Sequence, residues 1–327
     1  MSEKPPTIYD VARAAGVAAS TVSRAFSRPG RVNAATAERI RRVAAELGYR
    51  VNPLAAALPT GRTNMLALVV SDVTNPVYGE IIRGAESAAA EAGYVLLLID
   101  AQESDRLERH SLERALPGVD GVILAGTRMS DSAIRVAAKQ RPTILLNRVV
   151  TDVPGIVHDN AYGMHLAVRH LYDLGHRALT YVAGPEASWA DGMRWRYLRE
   201  AAADLSLRVR RIGPFTPTPE GGRAATAELL RELPTAVIAY NDLLAIGVLL
   251  ALQASGVCVP AEVSVVGFDN VFPARIVTPP LTTVAAPLRA QGRAAVTAVL
   301  SRPGRLMTLP VRLVERDSTA RRRPHRR

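Results

Sequence analysis

The chain has 327 residues, 48% of them hydrophobic, a single cysteine and a net charge of +11. That length is too great for one ordinary core, so two or three domains are expected. One cysteine, Cys258, excludes an internal disulfide and fits a reducing compartment, and by residue type it reads as a small buried apolar side chain. The charge is uneven. Residues 1–62 hold ten Lys/Arg and four Asp/Glu, residues 321–327 hold five Arg, and the middle holds 26 of each sign. Basic ends on a neutral middle are the pattern of a polyanion-binding head on a core that binds something else.

Residues 1–6 form a polar, Pro-containing arm. A helix follows with Ile8, Val11 and Ala12 on one face, Thr7 as its cap and Asp10 at the third position. Gly16 supplies the break for a tight helix–helix turn. A second helix is expected from about Ala19 to Phe26, with Val22 and Phe26 inward and Ser20, Thr21, Ser23 and Arg24 outward. A third runs from about Ala34 to Leu47, capped by Asn33, packed through Ile40, Val43, Ala44 and Leu47, and closed by Gly48. Together they read as a helix-turn-helix whose second helix carries short polar and Arg side chains suited to base edges.

The motifs T-I-Y-D-V-A, A-G-V, T-V-S-R and a following N-P closely resemble the lactose-repressor/galactose-repressor (LacI/GalR) family of bacterial transcription regulators, and the likeness runs through nearly the whole chain. The resemblance implies a DNA-binding head over 1–50, a hinge over 51–62 and an effector-binding, dimerising core over 63–327. Carried over by position, it implies DNA contacts at Thr7, Tyr9, Ala19, Ser20, Thr21, Ser23, Arg24 and Arg31, with Arg24 the best candidate for guanine. Arg28 and Arg31, in the next loop, are placed to hold the backbone. In the hinge, Asn52-Pro53 has the residue types of a helix cap and first turn. Leu54–Leu58 is barely one turn and should not fold alone. The resemblance implies that it folds on DNA, with Asn52 and Ala55 at the duplex and Leu58 wedged into the minor groove. Pro59 departs from the family and ends the helix early, and Gly61 turns the chain into the core.

From Met65 onward, apolar runs alternate with amphipathic helix patterns. The strands are expected at Leu66–Ser71, Val95–Ile99, Gly121–Leu124, Thr143–Leu146, Leu179–Ala183, Val237–Ala239 and Ser264–Gly267, an α/β pattern of parallel sheets. The resemblance implies a periplasmic-binding-protein-like core of two doubly wound parallel-sheet subdomains with a cleft between them. Chain crossings are expected near His158–Asn160, Leu281–Pro287 and Leu309–Arg312. The N-subdomain then covers about 63–158 and 288–308 and the C-subdomain about 160–282, with the final strand unassigned and a basic tail over 318–327.

Ligands of such sheets sit beyond the carboxyl ends of the strands. The loops there contain Asn75-Pro76, with the residue types of a helix cap and first turn, then Val77 and Tyr78 at positions where the family often has stacking aromatics. Asn147-Arg148 ends a strand, and Asn147 offers both a donor and an acceptor. Ser188, Trp189 and Arg194 match the family's ligand loop, with Arg194 at its characteristic arginine. Asn241-Asp242 opens a helix and Asp269 follows a strand, and these are also ordinary turn and cap residues. The resemblance thus implies ligand contacts at Asn75, Val77, Tyr78, Asn147, Arg148, Trp189, Arg194, Asn241 and Asp269.

The six histidines lack metal spacing, with His165, His170 and His176 better placed around a helix. No GxGxxG, GxxxxGK[ST] or GxSxG occurs, so no metal, cofactor or enzyme chemistry is expected, and a sugar kinase lacks its phosphate loop. A transport-type sugar-binding protein needs an export signal and no head, whereas MSEKPPT has no apolar signal core and no run reaches a membrane span of ~18 apolar residues. The expected protein is a cytoplasmic, nucleoid-associated homodimer. Its partners are operator DNA and a small effector of carbohydrate type, with no membrane. A corepressor-dependent regulator of the purine type, or an activator, carries the same motifs.

Overall fold

The computed structural model describes residues 6–27, 30–49, 62–301 and 306–322. They belong to two compact units: Met1–Met65 with Gly118–Asp120, and Leu66–Pro117 with Gly121–Arg327. Arg28, Asn52, Ala55, Leu58, Pro59 and Gly61 lie outside the described residues.

The first unit contains α1 (Ile8–Ala15), α2 (Ala19–Ser27) and α3 (Ala34–Glu46). The Asp10 carboxylate accepts from the Thr7 amide at 2.9 Å and the Thr7 hydroxyl at 2.6 Å, so the start of α1 is tied back on itself. Gly16 closes the helix at φ 64, a left-handed value that costs glycine nothing. Asn33 caps α3 by accepting from the Ala35 amide. Val11, Val22, Ile40 and Val43 form the small core with Ala12, Ala15, Ala25, Ala37 and Ala44. Phe26 is half-buried against it and meets Tyr49 in a tilted pair. Leu47 does not join this core: it follows the last helical residue and is 41% exposed.

The second unit begins with β1 (Met65–Val70), α4 (Pro76–Glu91), β2 (Val95–Asp100), α5 (Asp105–Ala115), β3 (Gly121–Ala125), α6 (Asp131–Gln140), β4 (Thr143–Leu146) and β5 (Gly155–His158). It continues through α7 (Asn160–Asp173), β6 (Ala178–Val182), α8 (Trp189–Asp204), β7 (Arg208–Ile212), α9 (Pro219–Leu229), β8 (Ala236–Ala239) and α10 (Asp242–Ala254). β9 (Ser264–Asp269), α11 (Pro273–Ile276), β10 (Thr282–Ala285), α12 (Leu288–Ser301), β11 (Met307–Leu309) and β12 (Arg312–Val314) complete it. One sheet has the order β11-β5-β4-β3-β1-β2 and the other β12-β10-β9-β8-β6-β7. The pairings are parallel apart from β10–β12, as the strand–helix alternation demands. This is an α/β protein with a three-helix head and a core of two mostly parallel six-stranded sheets.

The chain passes between the sheets after β5, after β10 and between β11 and β12. The second passage delivers α12 onto α4 of the first half. Two glycines let these helices approach backbone to backbone: a Cβ on Gly84 would lie 2.0 Å from the Arg289 carbonyl oxygen, and one on Gly292 would lie 2.0 Å from that of Ile81. The last strand, β12, which the sequence leaves unassigned, pairs antiparallel with β10. β5, β7, β10, β11 and β12 are short or charged and carry too little alternation to announce themselves.

Cys258 is exposed, because it lies in the turn before the buried Val259 rather than in a core element. The tail does not begin at Ser318. That residue is fully buried, its hydroxyl donates to the Val265 carbonyl, and its carbonyl accepts from the Val265 amide. Beyond it, the Arg322 amide donates to the Leu174 carbonyl.

Candidate functional site

On the head, the residues assigned to DNA lie on the outside. Tyr9 is 69% exposed, Thr7, Ser20, Arg24 and Arg31 are exposed, and Ala19, Thr21 and Ser23 are partly so. Arg24 is folded along α2. Its Nε donates to the Ser20 carbonyl at 3.0 Å and its Nη2 to the Ser20 hydroxyl at 3.3 Å. The hinge residues Asn52, Ala55 and Leu58 fall outside the described residues.

In the second unit, Asn75, Val77, Tyr78, Asn147, Arg148, Trp189, Arg194, Asn241 and Asp269 all line one cleft between the two halves. Sequence reasoning missed Gly126, Thr127, Arg128, Ala190 and Tyr240, which line it too. Thr127-Arg128 follows the carboxyl end of β3, and Tyr240 follows β8. The rule that selected the other loops also points to these, but their residue types carry no motif.

The roles within the cleft differ. Asn75 caps α4 by accepting from the Val77 amide at 3.1 Å. Val77 and Tyr78 are each 7% exposed and belong to the first half's core, with the Tyr78 hydroxyl 2.6 Å from Ser71 Oγ. Their family-derived stacking positions are therefore mostly packed. Asn241 spends both ends of its amide on the protein, accepting from Leu244 and donating to the Pro217 carbonyl. Trp189 opens α8, half-buried, and Ser188 caps that helix and meets the Tyr240 hydroxyl at 3.0 Å.

Asn147 has φ 58. Gln291, buried on α12, donates through Nε2 both to the Ile156 carbonyl at 3.2 Å and to Asn147 Oδ1 at 2.9 Å. A backbone carbonyl can only accept, so it orients the Gln291 amide, and that in turn occupies the Asn147 oxygen. The atom Asn147 retains for a ligand is its nitrogen, a donor.

Three guanidinium groups line the cleft, and each has a carboxylate. Arg128 Nε is 2.6 Å from Glu103, Arg148 Nη2 is 2.7 Å from Asp131, and Arg194 Nη2 is 3.3 Å from Asp269. Arg194 also donates to Asn160 Oδ1 and the Tyr240 carbonyl and lies 3.5 Å over the Phe268 ring, so one buried side chain ties three segments together. Burial pushes the Asp269 carboxyl up to about 6, and Arg194 opposes that rise. Asp269 also sits at φ 109, where a non-glycine backbone is strained by about 1–3 kcal/mol. Behind it, Asp242 is fully buried, accepts from the Val271 amide and the Thr283 hydroxyl, and is held well above the carboxylate range by burial and by Asp269. Beside Gln291, burial and then Arg194 bring His158 down to about 3, so it is neutral at physiological pH.

About 40 Å³ of the cleft is open to a water-sized sphere, too little for a sugar ring. Among the described residues, no three His, Cys, Asp or Glu side chains converge as a metal site. No helix of the described residues is long and apolar enough to cross a membrane.

Residues 7–52 match "Bacterial regulatory proteins, lacI family", and residues 168–319 match "Periplasmic binding protein-like domain". The HTH-type transcriptional regulator DegA of Bacillus subtilis (strain 168) is 34% identical over 96% of this chain and 98% of its own length. Among solved structures, the Lac repressor dimer bound to operator and the anti-inducer ONPF superposes with a TM-score of 0.86 at 28% identity, covering 97% of this chain and 100% of that one. The complex of the transcriptional regulator CelR with cellobiose gives 0.72 at 29% identity, covering 96% and 99%.

Proposed function

Because the chain belongs to the LacI family of DNA-binding bacterial transcription regulators, we propose that it is a dimeric repressor released from a palindromic operator by a neutral, polyhydroxylated effector of sugar type. One observation carries the effector assignment: each of the three arginines facing the cleft is already balanced by a carboxylate. A cleft so neutralised rewards hydroxyl groups, which donate to carboxylate oxygens and accept from guanidinium or amide N–H, and gives no net attraction to an anion. The nitrogen of Asn147 and the buried, unpartnered Nε of Arg148 are donors for such a ligand. The cellobiose complex of a relative supports the same class.

The small free volume supports a mechanism. A sugar ring enters only if the two halves part, so binding and the angle between them are one equilibrium. Coupling of about 1–3 kcal/mol per effector then acts reciprocally on DNA and ligand. The head residues Thr7, Tyr9, Ala19, Ser20, Thr21, Ser23, Arg24 and Arg31 read and hold each half-site, with Asn52, Ala55 and Leu58 acting at the centre.

Dimerisation is supported by exposed apolar side chains. The edge strand β2 presents Val95 at 64% and Leu98 at 43% exposure, and the second half presents Leu250, Phe272 and Ile276. An exposed apolar edge is a template for pairing with another chain.

The test is selection of the purified protein on a pool of random duplex DNA without effector at near-physiological salt. The expected result is a symmetric site with a deformable central step, and loss of binding to it then screens neutral sugars against nucleobases. Failure to enrich any sequence, both alone and with a pooled metabolite mixture, would overturn the reading. Enrichment only with the mixture would identify a corepressor instead.

A further inference from the structure

A second groove lies at the amino ends of β6 and β7, the opposite end of that sheet from the cleft. Arg177, Arg208, Arg210 and Arg322 line it together with Glu232. Arg210 is occupied by Glu232 at 2.8 Å and Glu228 at 3.5 Å. Among the described residues the other three pair with no carboxylate. Arg177 donates to the carbonyls of Tyr172 and His176 and stacks 4.1 Å over the Tyr172 ring, which fixes its position without neutralising it. Arg208 and Arg322 are exposed and pair with no carboxylate among the described residues.

The path of the chain adds to this. The amide of Arg322 is held by the Leu174 carbonyl at 2.8 Å, so the chain is pinned where it passes the groove. His176 registers the field: after burial, Arg322 and Arg177 are among the causes that lower its pKa. Arg322 therefore meets Arg177 and the arginines of β7 at one place, although residues 63–320 are neutral as a whole.

We infer that this arginine groove is a second contact surface for the phosphate backbone of duplex DNA, separate from the sequence-reading head. Unopposed guanidinium forks suit phosphate oxygens. An acidic protein partner needs apolar area at the centre of its contact, and Leu233 is the one large exposed apolar side chain lining the groove. The surface reads no bases, so it strengthens non-specific binding and keeps the protein on DNA between operators. The choice of DNA over other polyanions rests on the regulator assignment.

The experiment uses the full chain and a labelled short duplex of unrelated sequence, with affinity followed by fluorescence anisotropy as salt is raised. Arg208→Ser combined with Arg322→Ser should make the slope of log K against log salt shallower by about 2, at roughly 0.9 per lost phosphate contact, and weaken binding at any one salt concentration. The pair Arg208→Lys with Arg322→Lys, which keeps both charges, should restore most of the slope and guards against a folding defect. A slope and affinity equal to wild type in the Ser variant overturns the inference. So does groove-dependent capture of poly-glutamate with duplex binding unchanged. The control Arg24→Ala separates the two surfaces: it should lose operator preference while the groove's share of the salt slope persists. A wild-type protein with no sequence preference but a groove-dependent slope would fault the head assignment and leave this one standing.

Discussion

Arg24 lies along its own helix, donating to the Ser20 carbonyl and hydroxyl. To reach a guanine it must exchange these bonds for base-edge bonds, a near-balanced trade, because both sets are exposed to water. Discrimination then comes from the bidentate fit, about 1–3 kcal/mol. Arg24→Ala should reduce the ratio of operator to random-duplex affinity by about 5- to 150-fold and leave effector binding intact, as competition binding will read. An unchanged ratio removes Arg24 from the reading face. Arg194 is the opposite kind of residue, 4% exposed and bonded to Asn160, Tyr240 and Asp269. Arg194→Ala leaves a buried carboxyl unpaired, so it should cost about 3–5 kcal/mol in urea denaturation and abolish the effector response while the head still binds DNA. A variant with normal stability and response contradicts the cleft assignment.

Elements at the sheet edges explain what sequence patterns catch and miss. β7 is a strand spelled Arg-Val-Arg-Arg-Ile; its burial is irregular and its charges hide the strand periodicity. Its charges are also what make the arginine groove. β2 shows the reverse. Its Val-Leu-Leu-Leu-Ile run reads as a buried strand, yet it stands at the edge of its sheet with Val95 and Leu98 exposed. That apolar edge is accounted for if a second copy covers it. Val95→Lys with Leu98→Lys should convert the dimer to monomers in sedimentation at unchanged helix content, and weaken operator binding through loss of the second half-site. A variant that still sediments as a dimer would falsify the assignment of β2 to the interface.

Over the whole molecule, three histidines are held neutral inside the second unit. His158 sits beside Gln291, His170 meets Thr319, and His176 meets Thr235, Ser264 and the Ala320 carbonyl, so two of them fasten the segment after β12. Burial lowers all three pKa values. Between the ordinary value of 6.5 and the lower folded values, the unfolded chain binds more protons than the native one. The histidines' contribution to stability is therefore full above pH 6.5 and is lost as pH drops below it. For His158, at about 3, the loss is about 1.4 kcal/mol for each pH unit below 6.5. Buried carboxyls act in the opposite sense: burial raises Asp269 to about 6, Asp242 well above the carboxylate range and Glu108 above its ordinary value, so the native state binds more protons than the unfolded chain as pH falls, which offsets the histidine loss. The histidine share is read by difference: His158→Gln should shift the change in urea midpoint from pH 7.5 to pH 5.5 upward relative to wild type, and an unchanged pH dependence contradicts a buried neutral His158.

What the amino-acid sequence determined by itself was local or periodic. Capping residues and helical spacing located α1 to α3, and apolar runs located the central strands, because burial on both faces leaves an unbroken hydrophobic signature. Loops at strand carboxyl ends pointed to the cleft, and the family motif singled out Arg194. Tertiary structure decided everything that depends on partners distant in the chain. It set Glu103, Asp131 and Asp269 against three arginines, so the cleft is neutral rather than cationic. It let the Ile156 carbonyl orient Gln291 and so choose which end of Asn147 faces a ligand. It brought Arg177, Arg208 and Arg322 into one groove. Charge balance and hydrogen-bond polarity are properties of neighbourhoods in space, and periodicity along a chain cannot encode which neighbours will meet.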